Sequence, residues 1–288
     1  MVRRVLTGLL CCLLLVSCGS SLVYDRLDWL IPWYVDSYVD LSSEQRQTLQ
    51  QQLAPLLLQH RQEELARYQQ LLDGIEVQLQ APVRTAQVEG WIGELAQAAT
   101  RVEQSMLQVA VDFGATISDE QMAEFLESLY SRQEDLEKEL LSRSYADYAE
   151  EHTRHLEDLM QRIIGRLDRA QKQQLEQAAH SMQRYDGVWL EDRRRWLDQL
   201  QSLLQRKPGW QERVKSAYAA RERSRSQEYQ SIVAHNQRVI AAAIARVLNS
   251  RSDKQKARTV SEFEDLRAML RKLMDKAPGS SGSVPGHG

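Results

Sequence analysis

The sequence predicts an all-α fold: an elongated bundle of long antiparallel helices with coiled-coil-like seams. Three observations carry this. The 288 residues include only 13 Gly and 6 Pro, while Leu, Gln, Glu, Arg and Ala, all strong helix formers, dominate. Apolar residues recur at a spacing of 3.5 to 3.6 over long stretches, without sustained alternation. Helix-start signatures recur along the chain, each pairing a capping residue with Glu or Gln three positions on.

The chain opens with Arg3 and Arg4, then an apolar run from Val5 to Val16, then Ser17 and Cys18. A cationic start and an apolar run of this length fit a secretory signal, and the run is too short to span a bilayer. The residues Leu15-Val16-Ser17-Cys18 follow the pattern of a bacterial lipoprotein signal, so residues 1–17 are expected to be removed before Cys18. The Cys18 thiol would then carry a diacylglycerol and its new amine a third acyl chain, such as palmitate. Each buried methylene adds about 0.8 kcal/mol, so several chains make a stable anchor. Gly19 and Ser20 follow, with no aspartate beside the cysteine, and the expected place is the periplasmic face of an outer membrane.

The helical body is expected over residues 18–276 as a single domain. Leu22 to Tyr38 is aromatic, with Tyr24, Trp29, Trp33, Tyr34 and Tyr38, and Pro32 predicts a break with a second short helix after it. Ser42-Ser43-Glu44-Gln45 is a capping box opening a helix that runs to Ala81-Pro82, with Leu49, Leu53, Leu56, His60, Tyr68, Leu72, Ile75 and Leu79 inward. A helix from Thr85 to Phe113 carries Val88, Trp91, Ile92, Leu95, Val102, Met106 and Val109, with Gly114 as its stop. Ser118-Asp119-Glu120-Gln121 starts the next seam. Its apolar residues run without proline to Ile163, and one helix from 118 to 165 would be about 72 Å long. Asp168 caps a helix through Leu175, Met182, Tyr185, Trp189, Trp196, Leu200 and Leu203, bent at Gly187. After the turn Lys207-Pro208-Gly209 a helix runs from Trp210 to Val247, and a last one spans Thr259 to Met274. Residues 277–288 are rich in Gly, Ser and Pro and predict a disordered tail.

Charge and cysteines exclude several functions. The formal charge is −3, and loss of Arg3 and Arg4 makes the mature chain more acidic still. There is no electrostatic case for nucleic acid. Cys11 and Cys12 leave with the signal, so the one remaining cysteine is the acylated one, and neither an intrachain disulfide nor a cysteine metal site is expected. No nucleotide-binding glycine loop, GxSxG or Cys–His pair is present. The chain predicts no enzyme and no cofactor.

The helix starts share a pattern. Leu41-Ser-Ser-Glu-Gln45, Ile117-Ser-Asp-Glu-Gln121 and Leu167-Asp-Arg-Ala-Gln171 each join an aliphatic residue, a capping residue and a glutamine. These resemble the LTxxQ motif of the Spy and CpxP periplasmic chaperones, which implies a chaperone or envelope-stress role as an alternative. The run DWLIPWYVDSYVDLSSEQ, followed by HRQEELARYQQLL, is similar to a family of proteobacterial lipoproteins built on domain of unknown function 6279. That resemblance is read over nearly the whole mature chain and implies a helical lipoprotein with no assigned activity.

Three clusters are candidates for function. Trp29, Trp33, Asp36, Tyr38 and Asp40 could make a ligand groove or an interfacial foot beside the lipid. The structural alternative, favoured on the sequence, is that the rings cap the core with the acids on the wet side. Paired acids at Asp36 and Asp40 would also suit hydrolysis, which nothing else in the chain supports. His152 and His155 share one side of a helix and could hold zinc with a third ligand, but their neighbours are charged and there is no HExxH. The stretches from Asp192 to Trp196 and from Arg221 to Arg225 are basic. They could meet phosphate, lipid A or an acidic partner, and are read as solvated faces paired with acids such as Asp198, Glu222 and Glu228. The combined expectation is a lipid-anchored, non-enzymatic binding or scaffold protein, joined to the membrane by its N-terminal lipid and partnered with another envelope protein.

Overall fold

The computed structural model describes residues 23–275. The signal segment, Cys18 and the tail after residue 276 lie outside the described residues. Among the described residues there is no β-strand, and the chain is all-α.

Helix α1 covers Leu27–Asp36 and α2 covers Ser43–Gln59. A π turn, His60–Glu64, leads without interruption into α3, Leu65–Gln78. Then follow α4, Thr85–Gly114, α5, Asp119–Ser142, α6, Tyr145–Ile164, and α7, Arg169–Ser181. The chain continues through α8, Asp186–Leu203, α9, Trp210–Ala220, α10, Gln227–Asn249, and α11, Asp253–Asp275. Helix α4 is central, packing on α2, α3, α9 and α10, while α11 packs along α3 and α6. No helix among the described residues is long and apolar enough to cross a membrane.

The core forms around these contacts. One cluster joins Val88 and Trp91 of α4 to Leu156, Met160 and Ile164 of α6, Leu175 of α7 and the alanine-rich stripe Ala241, Ala243, Ala245 of α10. The small side chains of that stripe let α10 lie close to its neighbours. A second joins Leu49 and Leu53 of α2 to Val109 and Phe113 of α4, Met122 of α5 and Trp210 of α9. Gly114 ends α4 as the sequence suggests, but without a positive φ. A Cβ there would meet the Trp210 ring at 3.4 Å, so its small size serves packing. The predicted turn at Gly209 does need a glycine, since its φ is +77°.

The helix starts are tied to one another. Ser42 caps Gln45, Ser118 caps Gln121 and Asp168 caps Gln171, each as a full capping box. The aliphatic residues before them, Leu41, Ile117 and Leu167, are all buried. Each glutamine also meets another. Gln45 and Gln121 exchange amide hydrogen bonds of 2.8 and 2.9 Å. Gln171 and Gln255 do the same at 3.0 and 2.9 Å, where Ser252-Asp253-Lys254-Gln255 forms a fourth box at the start of α11. The start of α2 is thereby clasped to the start of α5, and that of α7 to that of α11.

Several boundaries differ from the sequence expectation. The long helix expected from 118 to 165 is two helices, because Ser144 caps Asp147 in a further box and turns the chain between Ser142 and Tyr145. Its halves take different partners, α8 for α5, and α7 and α11 for α6. The helix expected from 168 to 203 breaks between Ser181 and Asp186, not at Gly187, which lies inside α8. There the buried Asp186 accepts from Arg143 at 2.7 and 2.9 Å and from Arg184 at 2.9 Å, fixing the turn. The helix expected from 210 to 247 breaks after Ala220, where Ser226 caps Tyr229. The last helix starts earlier than Thr259, at Asp253. Pro32 does not break α1 but lies buried inside it. The carbonyl of Asp28 that it leaves without a partner sits on an exposed residue, within reach of water.

Candidate functional site

The aromatic block is split by the geometry of α1. Leu27, Ile31 and Val35, one turn apart, face the packed side. Trp29 and Trp33 sit two positions on, about 200° around the helix. They are 55% and 60% exposed, and their rings stack at 6.4 Å with 12° between planes. The sequence reading that these rings cap the core is therefore corrected for the tryptophans. It holds for Tyr24 and Tyr38, which are buried.

The remaining members of the block hold the loop after α1. Asp36 Oδ1 accepts from the Leu41 N–H at 3.1 Å and from Arg46 at 2.8 and 3.2 Å. The Leu41 N–H is the main reason its carboxyl lies below the usual aspartate range, with Arg46 adding to it. Tyr38 bonds the Tyr34 hydroxyl at 2.8 Å, and the Arg132 guanidinium lies 3.9 Å above its ring. Burial is the main cause pushing its phenol pKa up. Asp40 is exposed and is held through its backbone, donating to Glu124 at 3.1 Å and accepting from Gln121 at 2.6 Å. Asp36 is taken up by the Leu41 N–H and Arg46 while Asp40 lies exposed, an arrangement that does not favour a two-carboxylate centre.

The π turn builds a polar cluster that the sequence did not announce. His60 Nδ1 faces the Tyr24 hydroxyl at 3.0 Å and its Nε2 faces the Tyr68 hydroxyl at 3.3 Å. Burial lowers the imidazole pKa to about 4, against the opposing pull of Glu64. Glu64 is itself buried and accepts both prongs of Arg101 at 2.8 and 2.7 Å, with Arg67 as a further donor. Burial would raise its carboxyl, but the two guanidinia overcome this and hold it below the usual value. The cluster reads as a clasp that joins the segment before α1 to the π turn, α3 and α4.

His152 and His155 are neighbours at 6.2 Å between ring centres. His152 packs edge-on against Tyr148 at 4.2 Å, and burial lowers its pKa. Among the described residues no group of three or more His, Cys, Asp or Glu is placed to hold a metal ion.

The two basic stretches are solvated faces only in part: Arg195 and Arg223 are exposed and Glu222 serves Arg225 as expected, but other arginines turn inward. Arg193 is buried and donates to Gln133 of α5. Arg194 reaches Glu137 with both prongs at 2.9 and 2.7 Å. Arg195 pairs with Asp192, and Arg225 with Glu222 at 2.9 Å. Asp198, expected to serve an arginine, accepts from Tyr130 at 2.8 Å instead. The break after α9 folds the second stretch over α8. Asp192, Arg193, Arg195 and Trp196 of α8 then share with Arg221 and Arg225 a cavity of about 200 Å³. Only the three-dimensional path brings them together, since nearly thirty residues and a turn separate them.

No curated protein and no solved structure matches the chain. A family model does match, over residues 37–230, from the end of α1 into α10. The matched stretch contains the arginine-lined cavity and three of the paired glutamines, but not Trp29, Trp33 or Asp36, so it is narrower than the sequence resemblance suggested. The match covers most of the chain, which belongs to the family of unknown function DUF6279.

Proposed function

We propose that this chain is a lipid-anchored, non-enzymatic binding or scaffold protein of the bacterial cell envelope, held by acylated Cys18 at the periplasmic face of the outer membrane. The observation that carries the reading is the exposed Trp29–Trp33 stack, on the first described helix and a short way along the chain from Cys18. Two tryptophans turned away from the core suit the headgroup zone of a bilayer, where amphipathic rings are enriched. The lipid would bring α1 to the surface, and the stacked rings would rest there. Asp36 engaged by Arg46, and His60 engaged by Tyr24 and Tyr68, favour a binding role over a hydrolytic one.

Two measurements test this. Cys18→Ala is expected to leave a longer, unacylated precursor; normal maturation of that variant would refute the anchor. Vesicles containing brominated phosphatidylcholine should quench part of the tryptophan fluorescence of the acylated protein. The Trp29→Phe/Trp33→Phe variant should lose that part. Quenching that is absent, or unchanged in the variant, removes the foot while leaving the anchor standing.

A periplasmic chaperone of the Spy and CpxP kind is the second reading, favoured by the capping-box glutamines. Large exposed apolar residues among those described are spread from Val23, before α1, over α1, α3, α5, α6 and α11, at Trp29, Trp33, Val77, Leu141, Tyr145 and Val260. A client-holding surface would need them gathered. Delayed aggregation of an unfolded client at substoichiometric protein would favour the chaperone over the scaffold.

A further inference from the structure

We propose that the cavity between α8 and the α9–α10 turn is a binding site for a small phosphate monoester that carries a neighbouring hydroxyl, the chemistry of a sugar phosphate. The inference does not rest on the lipid anchor, because every residue it uses lies in the helical body.

The cavity is cationic and incompletely satisfied. Four arginines line it against one acid, Asp192. Arg195 and Arg225 have carboxylate partners, and Arg193 is held by Gln133. Arg221 has none among the described residues; its guanidinium lies 5.0 Å from the Trp196 ring centre. Two further atoms are buried without a partner, the Nε of Arg225 and the Oδ2 of Asp192. The first is a donor and the second an acceptor, so one ligand must offer both an anionic oxygen and a hydrogen to donate. A bare anion answers only the first. Both atoms belong to residues that line the cavity, a small turn of either side chain would present them to a ligand there, and buried polar atoms left alone cost free energy.

The electrostatics agree. Burial, and after it the charge of Arg225, holds the Arg221 pKa below that of a free guanidinium. Arg193 is lowered as well, by burial first, with Arg221 adding to it. These cations therefore repel one another across the wall, and a phosphate placed among them would relieve that repulsion. Arginine presents planar paired donors to phosphate oxygens, which lysine does not. A volume of about 200 Å³ is below that of sites for drug-sized ligands, and it suits a phosphate with a small organic remainder. Trp189 and Trp196 offer apolar faces for that remainder.

The test is titration calorimetry of the full acylated protein in detergent with glucose 1-phosphate, inorganic phosphate and glucose. The ester should bind saturably, inorganic phosphate more weakly, and glucose not at all. Arg221→Gln should weaken the ester by about tenfold or more, the loss of one charged hydrogen bond. Asp192→Asn should weaken the ester but not inorganic phosphate. Ser224→Phe, at an exposed position on the cavity rim, should block the ester while leaving all the charges, and thermal melting will establish that each variant is folded. Phosphatidylcholine vesicles with and without lipid A separate the sources. Competition by lipid A assigns a headgroup, and binding of the ester without competition assigns a soluble ligand; either result supports the site. Absence of ester binding at millimolar concentration, or equal affinity in folded Arg221→Gln and Ser224→Phe, would overturn it.

Discussion

At the scale of residues, burial decides which polar groups hold the fold. His60 is the clearest case, an imidazole kept neutral between two tyrosine hydroxyls. Its pKa falls from an ordinary 6.5 to about 4 by burial. The unfolded chain therefore takes up the proton first, and between those values it binds more protons than the folded one. Stability is then complete above about pH 6.5 and is lost as the pH falls toward 4, by no more than about 3 kcal/mol. His152, also lowered by burial, acts in the same direction. Urea titrations across this range should show the slope, and His60→Gln should flatten it; an equal slope in both proteins would remove His60 as its source. The inward place of His60 was legible from its spacing with Leu53, Leu56 and Tyr68. Its partners were not, because they depend on the π turn and on where α1 lands. The same limit separates Tyr24 from Trp29: composition marks both as core-seeking, and only the folded path places Tyr24 against His60 and turns Trp29 to the outer face of α1.

At the scale of elements, capping chemistry set the helix starts more reliably than periodicity set their lengths. Ser42, Ser118 and Asp168 were readable as caps, and each closes a full box. The cap at Ser144 follows the same rule, yet the apolar spacing runs through it undisturbed. Spacing counts turns of helix and carries no information on chain reversal, so α5 and α6 read as one. The box at Ser252 follows Arg251, as the one at Ser144 follows Arg143, where the three readable ones follow an aliphatic residue, which hid it. Pairing of the glutamines was not readable at all, since it joins helices more than seventy residues apart. That pairing makes unequal demands. Gln171 is fully buried and Gln255 nearly so, whereas Gln45 and Gln121 are partly exposed. Gln171→Ala strands a buried amide and should cost about 2–3 kcal/mol, against about 1 kcal/mol for Gln45→Ala, where water can replace the partner. Denaturant midpoints compare the two directly; equal losses would contradict a special role for the buried pair.

At the scale of the whole molecule, the all-α class followed from composition and spacing. The arrangement around α4 did not, because it is set by three breaks that lack proline or a left-handed glycine. These breaks shape function. The one after Ala220 brings two arginine stretches onto one cavity, and the packing of α1 leaves Trp29 and Trp33 facing outward. The family match spans the cavity and the Gln45–Gln121 clasp and stops short of Gln255, while the tryptophan pair lies before it. In the proposed reading, recognition in the body and attachment at the N-terminus are separate devices on one chain. Attachment is the central claim, and the N-terminal peptide of the protein purified from envelope membranes tests it most directly. Cleavage after Arg26 should release a peptide that begins at Cys18 and carries the mass of a diacylglycerol and a third acyl chain. A peptide that begins elsewhere, or a Cys18 bearing a free thiol, would contradict it.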